Sequence, residues 1–202
     1  GEHQYDYLVI ATGATTNFFG NESLEAYAFP MKSTVEALQL RHKLIHNFED
    51  ALHVTDPEEL QRLMNVVVVG GGPTGVEMAG ALAELISGPL KNDHEHAAKH
   101  MRINLIEAGP RLLPTFSEKL SDRTKRDLEK MGVTVFLNTA VAKVAPRKIS
   151  IKDGADIPSE VTIWAAGVRG EPTAEALKLP IVKSRIDTTP TLQVNHYPNI
   201  WA

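Results

Sequence analysis

Four consecutive valines, Val66 to Val69, run directly into Gly70-Gly71-Gly72-Pro73-Thr74-Gly75. Few arrangements of a chain can satisfy both halves of that run. A β-branched stretch without a polar position reads as a strand buried on both faces, the situation of a parallel sheet covered on each side. The glycines then call for a turn tighter than side chains allow. Pro73 suits the first turn of a helix, where its missing N–H costs little. Ala79, Leu82, Ala83 and Ile86 recur behind it at helical spacing and mark the packed face. Strand, glycine turn and helix in this order form the first half of a βαβ unit.

Within that turn Gly70, Gly72 and Gly75 carry the Gly-x-Gly-x-x-Gly spacing. Each has a separate physical role. Gly70 permits the tight turn, Gly72 lets backbone approach a pyrophosphate, and Gly75 lets the helix pack closely on the strand. Phosphates would rest on free N–H groups at the positive end of the helix dipole. A glycine turn without a nucleotide is the competing reading, and the strand and helix on either side favour binding. Ile103 to Glu107 reads as the second parallel strand, with Glu107 at its end facing the adenosine ribose hydroxyls, which selects NADH over NADPH. The acid lies beyond the usual distance of about 20 residues, so the polar 87–100 segment, broken by Gly88-Pro89, is read as an insertion. Arg111 is read as a solvated arginine in preference to a 2′-phosphate ligand. Glu77 falls in the expected first helical turn, where the dipole already favours a carboxylate. Both a structural role and a role near the nicotinamide stand for it.

Elsewhere, Tyr7 to Ala11 reads as a buried strand ending in Thr12-Gly13-Ala14, and residues 16–32 as loop. Ser33-Thr34-Val35-Glu36 fits a capping box. It opens a helix to about residue 53, with Val35, Leu38, Leu44, Ile45, Phe48 and Leu52 on its periodic positions and a polar connection after it. Ser117 to Met131 is the next helix, stopped by Gly132. Val133 to Leu137 is a third strand. Short strands between Val141 and Pro158, with Asp153-Gly154 as a turn, form a small antiparallel meander. Val161 to Ala165 returns as a buried strand ending in Ala166-Gly167, a weak echo of the Ala11-Thr12-Gly13 turn. The fold class is therefore α/β: a Rossmann-type parallel sheet with helices on both faces plus a small antiparallel β-meander.

Several function classes fall away. A net charge of -4 and the absence of a dense Lys/Arg block leave no footprint for nucleic acid. The chain has no cysteine, hence no disulfide, thiolate metal site or Cys-x-x-Cys pair. His94, His96 and His100, with Asp93 and Glu95, supply metal-ligand atoms but no zinc-type frame, so no metal is expected. No Gly-x-Ser-x-Gly elbow or glycosidase carboxylate pair is present. No apolar run approaches the roughly 18 residues of a membrane span.

In order along the chain, Tyr5-Asp6-Tyr7-Leu8-Val9-Ile10-Ala11-Thr12-Gly13-Ala14, Gly70 to Gly80, Ile106-Glu107-Ala108-Gly109-Pro110-Arg111-Leu112-Leu113-Pro114, Ile163 to Val168 and Pro198-Asn199-Ile200-Trp201-Ala202 resemble the pyridine-nucleotide flavoprotein reductases. The match is nearest to the type II NADH:quinone oxidoreductases. That resemblance implies hydride transfer from NADH to FAD and electron delivery to a quinone, in a respiratory-chain enzyme held peripherally on the cytoplasmic face of the inner membrane. It implies that Gly70, Gly71, Gly72, Pro73, Thr74, Gly75 and Glu107 hold NADH and that Glu77 is the catalytic candidate beside the nicotinamide. Ala166, Gly167 and Val168 would line the cofactor cleft, with a buried strand ending in a turn as their alternative reading. Thr12 and Gly13 join the cofactor residues. The implied organisation is 1–32 as partial FAD-domain segment and loop, 33–64 as helix and connection, 65–172 as NADH-binding domain, and 173–202 as partial return to the FAD domain. Both ends look cut from something larger. FAD is thus expected in the full-length protein and not in this soluble fragment, which is expected to be inactive alone. A ferredoxin- or rubredoxin-type NADH-dependent flavoprotein reductase and a non-catalytic NAD(H)-sensing module remain as other readings.

Overall fold

The four valines are buried to 5% exposure or less because their strand is sandwiched on both faces. A computed structural model describes residues 3–90 and 95–202. The chain divides into two compact units, one formed by residues up to Asn17 together with Val168–Ala202, the other by Phe18–Gly167.

In the larger unit the strands β3 (Phe29–Pro30), β4 (Asn65–Val69), β5 (Arg102–Ile106), β6 (Val133–Phe136) and β10 (Val161–Trp164) form a parallel sheet in the order β3-β10-β4-β5-β6. Side chains alternate across it. Val66 and Val68 face a core shared with α2 (Thr34–Ala51), α3 (Pro57–Leu63), α4 (Pro73–Leu85), α5 (Glu95–His100) and α6 (Glu118–Lys130). Val67 and Val69 face the other way, onto α1 (Glu22–Tyr27) and the antiparallel meander of β7 (Val141–Ala145), β8 (Lys148–Ile151) and β9 (Asp156–Pro158). Helices thus flank both faces, and the expected meander covers the second.

Polar groups fix the end of the sheet where β4 and β10 begin. Asn65, 7% exposed, donates from Nδ2 to the carbonyl of Pro158 and accepts at Oδ1 from Asn104 of β5. The buried hydroxyl of Ser159 lies 2.8 Å from the Asn65 carbonyl and 2.9 Å from that of Val161. Lys43 of α2 and Arg62 of α3 both reach Glu160, bringing the helices to the same end.

In the smaller unit β1 (Leu8–Val9) pairs in parallel with β14 (Ile200–Trp201), β2 (Ala14–Thr16) pairs with β11 (Val168–Gly170), and β12 (Ile181–Val182) pairs with β13 (Arg185–Ile186). A single-turn helix, α7 (Thr173–Ala176), precedes β12. Its core is Ile10, Leu179, Val194 and Ile200.

The capping box is present at α2: Ser33 accepts from the Glu36 amide while the Glu36 carboxylate accepts from the Ser33 amide. Gly132, at φ +90, follows α6 as expected. Other expectations need correction. Tyr7 to Ala11 is not a buried strand, since Tyr7 and Val9 are 74% and 71% exposed and only Ile10 is covered. Residues 16–32 are not loop: Asn21 caps α1 by accepting from the Ser23 and Leu24 amides, and Phe29–Pro30 forms the sheet edge. The connection after α2 contains α3, capped by Asp56. On α2 the buried face is Leu40, Leu44, Asn47, Phe48 and Ala51, while Val35, Leu38, Ile45 and Leu52 are exposed. The 87–100 segment includes a π-helical turn, Ile86–Leu90, kinked at Gly88, and then α5. The larger unit takes in residues 18–64 together with the parallel sheet that follows them.

Replacing Asn65 by Ala removes both bonds of its amide and leaves the Asn104 amide and Pro158 carbonyl without a partner. A loss of about 2 kcal/mol is expected, read as a lower urea midpoint at unchanged m-value.

Candidate nucleotide-binding site

Gly70 leaves β4 at φ +116, a conformation that side chains strongly oppose. Space forbids a side chain there as well: a Cβ on Gly70 would lie 2.7 Å from the backbone of Ala165 and 2.8 Å from Cα of Ala166. Further along the turn, a Cβ on Gly75 would fall 1.8 Å from the Gly70 carbonyl oxygen, so α4 rests directly on the turn it leaves. On Gly71 it would press on Leu112 and the Glu107 side chain. Gly72 differs from all three. A Cβ there would meet nothing within 4 Å, so the protein's own packing gives no reason for glycine, and room remains for a group docked on the turn. α4 starts at Pro73 with Gly72 as N-cap and no side-chain cap. The amides of Thr74 and Gly75 therefore lie in a first turn that offers them no carbonyl within the helix, at the positive end of its dipole. Donors, dipole and open space suit a phosphate group.

Glu107 follows β5 directly and is half-buried. One carboxylate oxygen accepts from the Gly71 amide and the other from the Gly109 amide, each at 2.6 Å. The Leu113 amide adds a bond to the Gly71 carbonyl at 2.8 Å. The acid thus ties the glycine turn to the loop after β5, and its remaining lone pairs are available to hydroxyl donors. Sequence reasoning found the acid but not this second role. Arg111 donates to the carbonyls of Pro114 and Phe116 and so staples its own loop.

Ala166 and Gly167 follow β10, and the Ala165-Ala166 backbone is the surface against which Gly70 sits. Glu77 is the fifth residue of α4, one beyond the first turn where the sequence had placed it, and no acidic residue occupies that turn. It is exposed and shares a shallow cleft with Thr124 and Asp127 of α6. In the smaller unit, Thr12, Gly13 and Val168 line one cleft of about 400 Å³. Arg169, Lys183 and Arg185 line the same cleft and were missed, because isolated basic residues in an irregular segment carry no spacing signal. His96 and His100 stack with ring centroids 5.2 Å apart, and among the described residues no group of acidic residues and histidines could hold a metal. Asp93 and His94 lie outside the described residues.

The pattern of the pyridine nucleotide-disulphide oxidoreductases matches residues 1–202. The chain belongs to that family. Within it, the chain is 37% identical over 207 residues to the type II NADH:quinone oxidoreductase Ndh of Mycobacterium tuberculosis, covering 98% of this chain and 45% of that protein. It is 34% identical over 200 residues to the mitochondrial internal alternative NAD(P)H-ubiquinone oxidoreductase A1 of Solanum tuberosum, covering 98% of this chain and 40% of that one. The structure of NDH2 from Plasmodium falciparum in complex with NADH superposes with a TM-score of 0.90 at 31% identity, over 98% of this chain and 43% of that chain. This member of the family thus spans less than half the length of the relatives it matches. A ferredoxin reductase from Rhodopseudomonas palustris, at 19% identity and a TM-score of 0.74, shares the fold alone.

The glycines separate into those that packing needs and one that it does not. Gly75→Ala is expected to cost about 3 kcal/mol or more, because backbone must move. Gly72→Ala should change stability by less than about 1 kcal/mol, since its φ is ordinary and the freedom lost by the unfolded chain offsets the poorer N-cap. Thermal and urea unfolding of the two variants check both.

Proposed function

We propose that this chain is the NADH-binding part of a type II NADH:quinone oxidoreductase. The observation that carries the reading is the open cradle at Gly72 beside an uncapped helix end, with the Glu107 carboxylate held at the rim by two amides. The names of its relatives favour the same class. NADH supplies a hydride when bound, and in the whole enzyme FAD would pass the electrons to a quinone.

The chain's own residues bind and orient. Gly72, Thr74 and Gly75 offer backbone to the pyrophosphate, Gly71, whose amide is held by Glu107, shapes the turn beneath it, and Pro73 opens the helix without needing a partner for an N–H. Glu107 accepts from the adenosine ribose hydroxyls, and its charge opposes a 2′-phosphate at the same place. Ala166 and Gly167 are proposed as further nucleotide contacts in the larger unit. In the smaller unit, by itself, Val168, Thr12 and Gly13 are proposed cofactor contacts, and Arg169, Lys183 and Arg185 outnumber Glu171 in their cleft, which suits the anionic part of a flavin nucleotide. Glu77 is proposed as a group that orients or electrostatically tunes the nicotinamide end. A peripheral place on the inner membrane, in a respiratory chain, belongs to the same proposal. Among the described residues no helix is long and apolar enough to cross a membrane.

Paired titrations with NADH and NADPH test the reading. NADH should bind at least tenfold tighter. Glu107→Gln keeps the shape but removes the charge and one acceptor, and should narrow that preference while weakening NADH by about 1.5 kcal/mol, near tenfold. Gly72→Ala, folded as above, should weaken both nucleotides. Equal affinities in the parent chain would remove the role given to Glu107, and failure to bind either nucleotide would remove the site.

A further inference from the structure

A cavity of about 340 Å³ opens between α2 and α4 and shares no lining residue with the glycine turn. Leu44, Phe48 and Leu82, each at most 7% exposed, contribute to it. Met31 and Met78 add unbranched, adaptable side chains, and Leu90 enters from the π-helical turn. The space has the size and apolar lining of a small-ligand site. Among the described residues one charged side chain lines it. Arg41 of α2 is exposed, lines the cavity, and makes no ion pair or hydrogen bond with any described residue. Among the described residues no acidic side chain lines the cavity to balance it. Its neighbour Lys43 is by contrast paired with Glu160.

An apolar hollow with an uncompensated guanidinium matches a molecule with one carboxylate and one hydrocarbon tail, since guanidinium pairs with carboxylate through two parallel hydrogen bonds. A second protein helix fits less well: the exposed Val35, Leu38 and Leu52 of α2 lie outside the lining, so the apolar surface that is enclosed is concave and short. We propose that this cavity binds a single-chain anionic amphiphile of the fatty-acid type, its tail between α2 and α4 and its carboxylate on Arg41. The proposal is independent of the nucleotide reading.

Calorimetric titration of the 202-residue chain with octanoate, decanoate and dodecanoate below their micellar concentrations tests it, with dodecyltrimethylammonium as a cationic control. Saturable binding of one amphiphile per chain is expected, tightening about fourfold for each added methylene and at least tenfold weaker for the control. Arg41→Glu should weaken dodecanoate at least tenfold without moving the unfolding midpoint, and Ala37→Trp, which narrows the cavity, should weaken the longer tails most. The proposal is overturned by no binding or non-saturable uptake, by equal affinity for the cationic amphiphile, by an unchanged Arg41→Glu variant, or by binding to anionic vesicles without binding to monomeric dodecanoate. A dimer in sedimentation that excludes dodecanoate would overturn it in favour of a second copy.

Discussion

Backbone pressed against backbone holds the candidate site together. Gly70 meets the Ala165-Ala166 segment, and Gly75 meets the carbonyl of Gly70, at separations that leave no place for a Cβ. Two segments far apart in sequence, the glycine turn and the end of β10, therefore meet chiefly through main-chain atoms. The arrangement is stiff because there is no side chain between them to change rotamer, and interiors packed this closely transmit rather than absorb displacement. The helix end, the strand end and the loop after β5 consequently act as one piece, with Glu107 joined to two amides as its fastening.

The parts of the fold legible in the sequence were those in which a single requirement dominates. Val66 to Val69 admit only a doubly covered strand, and Gly70, Gly72 and Gly75 follow at a spacing whose demands are local. Ser33 and Glu36 were legible for the same reason, since a capping box closes on itself within four residues. Helix α2 was harder because it carries two apolar stripes. Periodicity identifies a helix but does not say which stripe meets the core, and packing of α2 against β3, α3 and α5 selected Leu40, Leu44 and Phe48. Tyr7 to Ala11 misled because hydrophobicity in a short run records suitability for a sheet, not the number of strands beside it, and among the described residues Leu8–Val9 pairs only with Ile200–Trp201.

The candidate site divides along the same line. Gly72 and Glu107 were found because motif spacing and strand position suffice to place them. The second role of Glu107 depends on where Gly109 returns in space, and the grouping of Arg169, Lys183 and Arg185 with Thr12 and Gly13 depends on strand pairings separated by more than a hundred residues. Neither has a local signature. Family membership tells what this architecture is used for in longer relatives, while the geometry tells which atoms of this chain are in place for it.

The amides of Asn65 and Asn104 and the hydroxyl of Ser159 sit at the end of the sheet away from Gly70, yet they set the level of everything there. Val69 stands opposite Ile106 and Trp164, so Gly70, Glu107 and Ala165 leave the sheet at one height. A slip of a single residue between β4 and either neighbour would exchange its two faces and stagger the three exits by about 3.3 Å. Those three polar side chains act as a tally at the foot of the sheet, and a misaligned copy would be recognised by its unpaired amides before any ligand arrived to test it.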